Sequence, residues 1–361
     1  MKYRYFLAGL TEVVGVGKVN RLFDYCQDAK TVYELQEEEL GGIYGITQRD
    51  VTKILQQKSE WNLEGQYEAF LKTGMLMITV EDEKYPSGLR YVLDAPYALF
   101  VKGKLPDENG KRVAIVGARM CSEYGREAAG RIAEKLSTCK VQIISGMAKG
   151  VDSAGHHGAL RAKGETFAVL GCGADICYPS ENRNLYRQIE ECGGIISEYL
   201  PQTLPLPRRF PMRNRIISAL SDIVVVVEAK EKSGSLITAD YALEQGREVY
   251  AVPGRLTDTL SGGCNRLIKQ GAGIILSVED FLNDLELYTD KIKSGKDFSK
   301  KLLEKEELLV YSVLDLQPKN IDEILRETDM DILQVIQNLV QLQSKGFVRE
   351  IFKNYYIRTL G

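Results

Sequence analysis

Small and basic residues follow a short apolar run near the middle of the chain. Residues 113–116 are all apolar, and Gly117, Arg119 and Ser122 come directly after them. Ser122 is a good helix N-cap, and the residues from 124 to 136 have helical spacing. A glycine turn into a helix presents free backbone N–H groups and the positive end of the helix dipole to an anion. This turn is therefore predicted to bind a phosphate, with Arg119 adding a full positive charge.

Four later turns repeat this combination of cations and small residues. One mononucleotide does not need cations on so many turns, but a row of backbone phosphates does, and Phe210 or Tyr178 is able to stack on bases. We therefore predict a nucleic-acid track along these turns. Its predicted residues are Arg119, Ser122, Gly146, Ala148, Lys149, Arg183, Arg208, Arg209, Phe210, Arg213, Asn214, Arg215, Lys230 and Ser235. For Arg213 and Arg215 a second interpretation stays open, in which they pair with carboxylates such as Glu198 and Glu228.

A nucleotide cofactor is disfavoured by the glycine spacing. The turn after residue 116 lacks the Gly-x-Gly-x-x-Gly pattern of a dinucleotide site, and residues 171–173 supply only its first two glycines. The Gly-Lys-Ser/Thr of a phosphate-binding P-loop is absent as well. No cofactor is therefore expected.

Metal and acid–base chemistry have few candidate residues. His156 and His157 are the only histidines, and neighbours on a helix point about 100° apart, so they cannot chelate one ion. Asp152 with these histidines is a possible acid–base site, but Asp152 as a helix cap and a packed histidine is the favoured interpretation. No catalytic residue and no metal ligand is predicted.

The elements that must position these turns alternate regularly between residues 76 and 287. Buried β-branched strands separated by helices predict an α/β domain, a Rossmann-like parallel sheet with helices on both faces. Ligands bind such sheets at the carboxyl ends of the strands, which is where the predicted turns lie. The predicted strands are 113–116, 141–145, 166–170, 195–197, 223–227, 249–252 and 274–276, and the predicted helices lie near 124–136, 151–163, 181–191, 213–220, 236–245 and 264–271.

Different patterns flank this core. Residues 1–75 have helical spacing and two glycine turns, which predicts a helix-hairpin-helix or SAM-like module. Tight helix packing is the favoured role of those turns over phosphate binding, because acidic residues 37–39 lie close by. Residues 288–304 are predicted to be a linker and residues 305–361 a winged-helix domain. The second strong helix of that domain, predicted from residue 331 to 342, carries no Lys or Arg, which favours a protein contact over DNA.

Composition limits the class of protein. The 361 residues carry a net charge of −3, so a nucleic-acid site has to be a local patch. The seven cysteines are scattered without a Cys-x-x-Cys pair, which indicates thiols in a reducing compartment. No signal segment and no apolar run long enough to span a membrane occurs, so a cytoplasmic protein is expected.

Several segments, in this order, resemble the DprA/Smf family of bacterial DNA processing proteins. The matching segments are Tyr85-Pro86 with 94–96; 113–119 with Ser122, Tyr124 and Gly125; 144–152 with His156; 168–179; 197–199; Phe210-Pro211-x-Arg213-Asn214-Arg215 with 216–217; 233–239; and 252–254. Together they span about residues 85 to 275, and their joint occurrence is specific. One departure is Pro201-Gln202, where the family usually has Pro-Gly.

The resemblance implies a function and a site. It implies a Rossmann-like core that binds single-stranded DNA without strong sequence preference, forms a homodimer, and protects incoming single strands during natural transformation. It also implies the loading of a RecA-type recombinase and no reliance on NAD, ATP or a metal. The positions that match the DNA pocket of the family are Arg119 and Lys149. The expected protein is thus a non-enzymatic single-stranded DNA-binding protein.

Two rival interpretations stay open. A nucleotide-cleaving hydrolase of the lysine-decarboxylase-like kind would use the same sheet, but residues 233–240 lack its Pro-Gly-Gly-x-Gly-Thr-x-x-Glu pattern. An adaptor that binds only the recombinase would show no salt-sensitive binding of DNA.

Overall fold

The computed structural model describes residues 1–287, 303–315 and 317–359. A group of short helices comes first in the chain and precedes the sheet. These helices are α1 (Lys2–Val14), α2 (Val16–Cys26), α3 (Ala29–Glu34), α4 (Glu37–Gly42), α5 (Gln48–Glu60) and α6 (Leu63–Lys72). Lys18, which follows the first glycine turn, is bound to Asp50 at 2.6 Å. That cation already has a partner within the module.

A nine-stranded sheet forms the centre of the molecule. Its strands are β1 (Leu76–Thr79), β2 (Ala98–Gly103), β3 (Arg112–Val116), β4 (Gln142–Ser145), β5 (Thr166–Leu170), β6 (Gly194–Ser197), β7 (Ile223–Val226), β8 (Glu248–Ala251) and β9 (Gly273–Ile274). The spatial order is β1-β2-β6-β5-β4-β3-β7-β8-β9. Every residue of β3 to β7 is buried, as expected for β-branched strands covered on both faces.

The sheet is parallel except at one edge, where two antiparallel strands correct the prediction of a wholly parallel sheet. Strands β1 and β2 were not predicted, and β2 pairs antiparallel with both β1 and β6. The apolar residues 98–101 are buried, but so short a run does not by itself distinguish a strand from other buried segments.

Helices connect the strands and cover both faces. They are α7 (Ser87–Arg90), α8 (Glu123–Thr138), α9 (Val151–Arg161), α10 (Arg183–Cys192), α11 (Arg209–Ala219), α12 (Gly234–Glu244), α13 (Gly262–Lys269) and α14 (Val278–Asp284). Buried residues of α8, α9 and α14 pack on one face, and those of α11, α12 and α13 pack on the other.

Helix α11 begins four positions earlier than predicted. Its first residue is Arg209 rather than residue 213. Pro211 lies in the first turn, where the missing proline N–H has no intrahelical partner to lose. Residues 209–212, which were predicted to lie in a basic loop, therefore form the start of a helix.

The N-terminal helices share a hydrophobic core with the sheet. Tyr5 and Phe70 from the helices contact Phe100 of β2, with ring centroids 6.0 and 5.7 Å apart. The same buried cluster continues through Leu170 of β5 to Ile189 of α10. These helices consequently stabilise the edge of the sheet that carries β1 and β2.

The C-terminal residues form a small unit with its own core. Its elements are α15 (Lys305–Val313), β10 (Lys319–Asn320), α16 (Ile321–Thr328), α17 (Ile332–Ser344), β11 (Val348–Phe352) and β12 (Tyr355–Arg358). The strands form a three-stranded sheet in the order β10-β12-β11. Arg349 joins this unit to α8 by ion pairs with Glu123 and, at 3.8 Å, with Glu127. The predicted linker 288–304 lies outside the described residues except for 303 and 304.

Across the described ranges, no helix combines the length and the apolar character that crossing a membrane would require.

Candidate nucleic-acid interface

A cleft of about 470 Å³ opens at the carboxyl ends of the parallel strands. The loops after β3, β4 and β5 form one side, and the first turns of α11 and α12 form the other. Arg119, Ala148, Phe210, Arg213 and Ser235 line it, so the structure brings these predicted residues together. Their positions follow from strand order, because β5, β4, β3 and β7 are neighbours and end at the same edge.

Three side chains are stacked at the cleft. The Arg119 guanidinium carbon lies 5.3 Å from the centroid of the Phe210 ring. The Tyr178 ring lies 5.3 Å from the Phe210 ring, at an angle of 23°. Tyr178 is 40% exposed, so one face of this stack is open to solvent. A flat exposed ring next to a cation suits a base and its adjacent phosphate.

Gly150 allows the first two loops to meet. Its φ is +80°, and a Cβ added there would lie 2.3 Å from the carbonyl oxygen of Ala118 and 2.6 Å from that of Arg119. A larger residue would therefore push the loop that carries Arg119 away from the start of α9.

Arg213 supplies a buried positive charge behind the stack. The residue is 4% exposed, and its Nη1 donates to the carbonyl oxygens of Gly146, at 2.9 Å, and Val169. Its Nε has no hydrogen-bond partner, and within the described ranges no carboxylate oxygen lies within 4.0 Å of the guanidinium. Burial lowers the pKa of Arg213, with attraction by Asp152 opposing that shift. A buried cation without an ion pair stabilises an anion that enters the cleft.

Asp152 fixes the second loop rather than capping a helix. Its Oδ2 accepts hydrogen bonds from the backbone N–H groups of Gly146, at 3.1 Å, and Ala148, at 3.3 Å. The N-cap of α9 is Gly150, so the predicted capping role was wrong. Burial raises the pKa of Asp152.

His156 is fully buried beneath the loop layer. Its Nδ1 lies 2.7 Å from the hydroxyl oxygen of Thr166, and burial lowers its pKa to about 3. It does not line the cleft. The geometry thus gives no pairing of Asp152 with this histidine for acid–base chemistry.

Four further predicted cations are exposed at the same edge of the sheet. Lys149 lies in the second loop and donates to Glu181 at 2.6 Å. Arg183 begins α10, Arg208 precedes α11 and Lys230 follows β7, and all three are exposed. These three lie outside the lining of the cleft, so they would extend a bound strand beyond it.

Arg209 joins the N-terminal helices to the core. Its Nη2 lies 3.1 Å from a carboxylate oxygen of Glu12 in α1, and its guanidinium lies 4.9 Å from the Tyr199 ring centroid. Its side chain is 12% exposed. Arg209 is therefore engaged in a structural contact and has little surface to offer a strand.

Arg215 is a correction to the predicted track. It is 1% exposed, and its Nη1 and Nη2 donate to the two carboxylate oxygens of Glu198 at 2.9 and 2.6 Å. The alternative interpretation, a structural ion pair with Glu198, is confirmed for this residue. A buried guanidinium in a bidentate pair cannot reach a strand on the surface.

The smaller predicted residues are held in local hydrogen bonds. Ser122 caps α8 and donates from its backbone N–H and hydroxyl to Glu228, whose pKa is raised by burial. Asn214 donates to the carbonyl oxygen of Gly234 at 3.1 Å, which ties α11 to the start of α12. The Ser235 hydroxyl lies 2.8 Å from that of Ser233. Ser122 is thus occupied by its cap and by Glu228.

Sequence reasoning missed the parts played by Asp152 and Glu181. Asp152 binds a loop a few positions before it, and the spacing alone favoured a helix cap. Glu181 meets Lys149 across 32 positions of the chain, and no local pattern connects the two. The one signal in the sequence was Glu181 itself, an acidic residue between Tyr178 and Arg183 in one of the basic turns.

The chain is similar to known proteins over the same region. The family model described as DNA recombination-mediator protein A matches residues 76–286. DNA processing protein DprA of Streptococcus pneumoniae is 43% identical over 208 residues, which are 58% of this chain and 73% of that protein. The X-ray structure of DNA processing protein A from Streptococcus pneumoniae matches with a TM-score of 0.67 and 34% identity, covering 78% of this chain and 97% of that one.

A second solved structure comes from a relative that binds single-stranded DNA. It describes the single-stranded DNA binding mode of DNA processing protein A from Helicobacter pylori. The match has a TM-score of 0.52 and 31% identity, and it covers 58% of this chain and 95% of that one.

Proposed function

Because the chain belongs to the DNA recombination-mediator protein A family, we propose that it binds single-stranded DNA without catalysing a reaction on it. The relative from Helicobacter pylori, whose structure describes single-stranded DNA binding, supports this proposal. The observation that carries it is the stack of Arg119, Phe210 and Tyr178 in front of the buried charge of Arg213.

The strand follows the carboxyl edge of the sheet. Arg119 and Lys149 bind neighbouring phosphates, while the exposed ring of Tyr178 stacks on a base and Phe210 supports that ring from behind. Arg183, Arg208 and Lys230 bind phosphates farther along the strand. The first turn of α12 adds backbone N–H donors. In the first turn of α9, the N–H groups of Val151 and Ser153 already donate to the carbonyl oxygens of Ala118 and Ala148. Arg209 and Arg215 are left out of this track because both are engaged in ion pairs and their side chains are only 12% and 2% exposed.

We also propose the wider role that the resemblance implies. The protein protects incoming single strands, acts as a homodimer and loads a RecA-type recombinase. The C-terminal unit is a winged-helix domain that contacts protein rather than DNA. Its helix α17 carries no Lys or Arg, and Leu333 and Val340 are exposed on it, by 71% and 59%.

A salt titration tests DNA binding directly. Fluorescence anisotropy of a labelled oligothymidylate is measured from low to moderate salt. We expect the logarithm of the association constant to fall linearly with the logarithm of salt concentration, with a slope of about −0.7 per phosphate contacted. A strand that is not bound, or a binding constant that is independent of salt, would overturn the proposal.

A nucleotide-cleaving hydrolase makes a different prediction for the same cleft. Incubation with nucleoside monophosphates followed by chromatography would reveal released base. Asp152 is the carboxylate that lines the cleft in the described part of the chain, and it is bound to Gly146 and Ala148. We therefore expect no release of base at an enzymatic rate.

A further inference from the structure

We propose that Glu181 is an internal counter-ion that competes with DNA phosphates for Lys149 and so lowers the affinity of the cleft for single strands. This inference rests on the proposed function, because it concerns the same cleft. Lys149 donates from Nζ to Oε1 of Glu181 at 2.6 Å. In the free protein, one predicted phosphate ligand is therefore already occupied by a carboxylate.

The fold fixes Glu181 next to Lys149. Glu181 lies in the short helical turn Ser180–Asn182, directly after the segment that carries Tyr178. The Asn182 side chain donates to the carbonyl oxygen of Met147 and to the hydroxyl of Ser153, both at 2.9 Å. These bonds hold the turn against the second loop, beside a small cavity of about 90 Å³ that Arg119 and Lys149 line together.

Exposure makes this pair replaceable. The Lys149 and Glu181 side chains are 57% and 62% exposed, whereas those of Arg215 and Glu198 are 2% and 3% exposed. Water screens an exposed pair and solvates both groups when they separate, so such pairs contribute little to stability. A phosphate brought to Lys149 can therefore displace Glu181, which no anion can do to Glu198.

The displaced carboxylate opposes binding. The hydrogen bond from Lys149 lowers the pKa of Glu181, so the group is ionised at neutral pH. When a strand binds, Lys149 exchanges Glu181 for a phosphate, and the freed carboxylate stays beside the strand. Binding then gains only the difference between two ion pairs at this position. Removal of the carboxylate should let Lys149 contribute fully.

The test is the variant Glu181→Gln, measured with labelled oligothymidylate over a range of salt concentrations. Tighter binding by about two- to fivefold at low salt is expected, which is the range of one exposed ion pair. The salt slope should change by less than about 0.7, the value for one phosphate contact, because Lys149 contacts a phosphate in both proteins. Thermal unfolding of the variant verifies that the exposed substitution leaves the fold intact.

Glu165→Gln is the matched control. Glu165 pairs with Lys104, and the two side chains are similarly exposed, by 42% and 53%. Glu165 precedes β5, so it lies at the amino ends of the parallel strands, whereas the cleft lies at their carboxyl ends. We expect its replacement to leave affinity and slope unchanged.

A double variant distinguishes competition for Lys149 from the general repulsion between the Glu181 carboxylate and the DNA phosphates. In a Lys149→Gln background, Glu181→Gln should give no further gain in affinity, because the cation for which Glu181 and the phosphate compete is absent. A gain of the same size in that background would overturn the proposal, as would a single variant with the affinity of the unaltered protein. If the unaltered protein itself shows no salt-dependent binding, the proposed function fails instead.

Discussion

Arg119 is the residue on which the proposed DNA contact depends most. It is exposed, its guanidinium lies against Phe210, and the described residues offer it no ion pair. Replacement by Ala removes one phosphate ligand and the guanidinium that packs against the Phe210 ring. We expect Arg119→Ala to weaken oligothymidylate binding by about five- to a hundredfold, the range measured for stacking contacts.

Lys104→Ala is the control for that experiment. Lys104 is also an exposed cation, but it follows β2 at the amino ends of the parallel strands, away from the cleft. Equal losses of affinity in the two variants would mean that overall charge, and not the cleft, binds the strand.

Arg215 shows how a basic residue next to the cleft acts on stability instead. Its guanidinium fills the space between Glu198, the carbonyl oxygen of Asp94 and that of Met212. Arg215→Met leaves the Glu198 carboxylate buried without its partner, so we expect the free energy of unfolding to fall by about 3–5 kcal/mol. Urea denaturation measures this loss, and the double variant Arg215→Met with Glu198→Leu should recover part of it.

At the scale of elements, the turn between β4 and α9 determines where Arg119 lies. Gly150→Ala places a Cβ against the carbonyl oxygens of Ala118 and Arg119 and also strains a backbone with positive φ. We expect a loss of about 1–3 kcal/mol in stability together with weaker binding of oligothymidylate.

Gly246→Ala isolates the strain from the clash. Gly246 has a φ of +67°, and a Cβ there would meet no atom within 4 Å. This variant should lose about 1–2 kcal/mol in stability and keep its affinity for DNA. If Gly150→Ala kept that affinity too, the packing of the first two loops would not position Arg119.

The sequence predicted the buried strands well and the sheet edge poorly. Thr166–Leu170 was predicted with its observed bounds because five buried residues between a glycine turn and a second turn have few alternatives. β2 was missed because it pairs antiparallel with β1 and β6, whereas the prediction relied on strands that alternate with helices in a parallel sheet. The pairing of Arg215 with Glu198 stayed open for a related reason, since both residue types suit a surface track and a buried ion pair equally.

At the scale of the whole molecule, the two flanking parts differ in how they meet the sheet. The N-terminal helices share buried aromatic contacts with β2, and Glu12 binds Arg209 of α11. The C-terminal unit has its own cluster around Val310, Val335 and Leu339, and its described link to the core is the ion pairing of Arg349. The first part stabilises the sheet, whereas the second is an appended unit.

This difference predicts opposite results of truncation. Deletion of residues 1–75 would expose Phe100 and the rest of the shared cluster, all of it now buried. We expect that protein to be insoluble or to unfold at a temperature well below that of the full-length protein, because a large exposed apolar surface promotes aggregation.

Deletion from residue 303 onward removes only a self-contained cluster. The remaining protein should keep its melting temperature within a few degrees and its affinity for oligothymidylate. Scanning calorimetry and anisotropy on the two truncated proteins measure both properties. A soluble, DNA-binding protein without residues 1–75 would show that the sheet does not need the N-terminal helices.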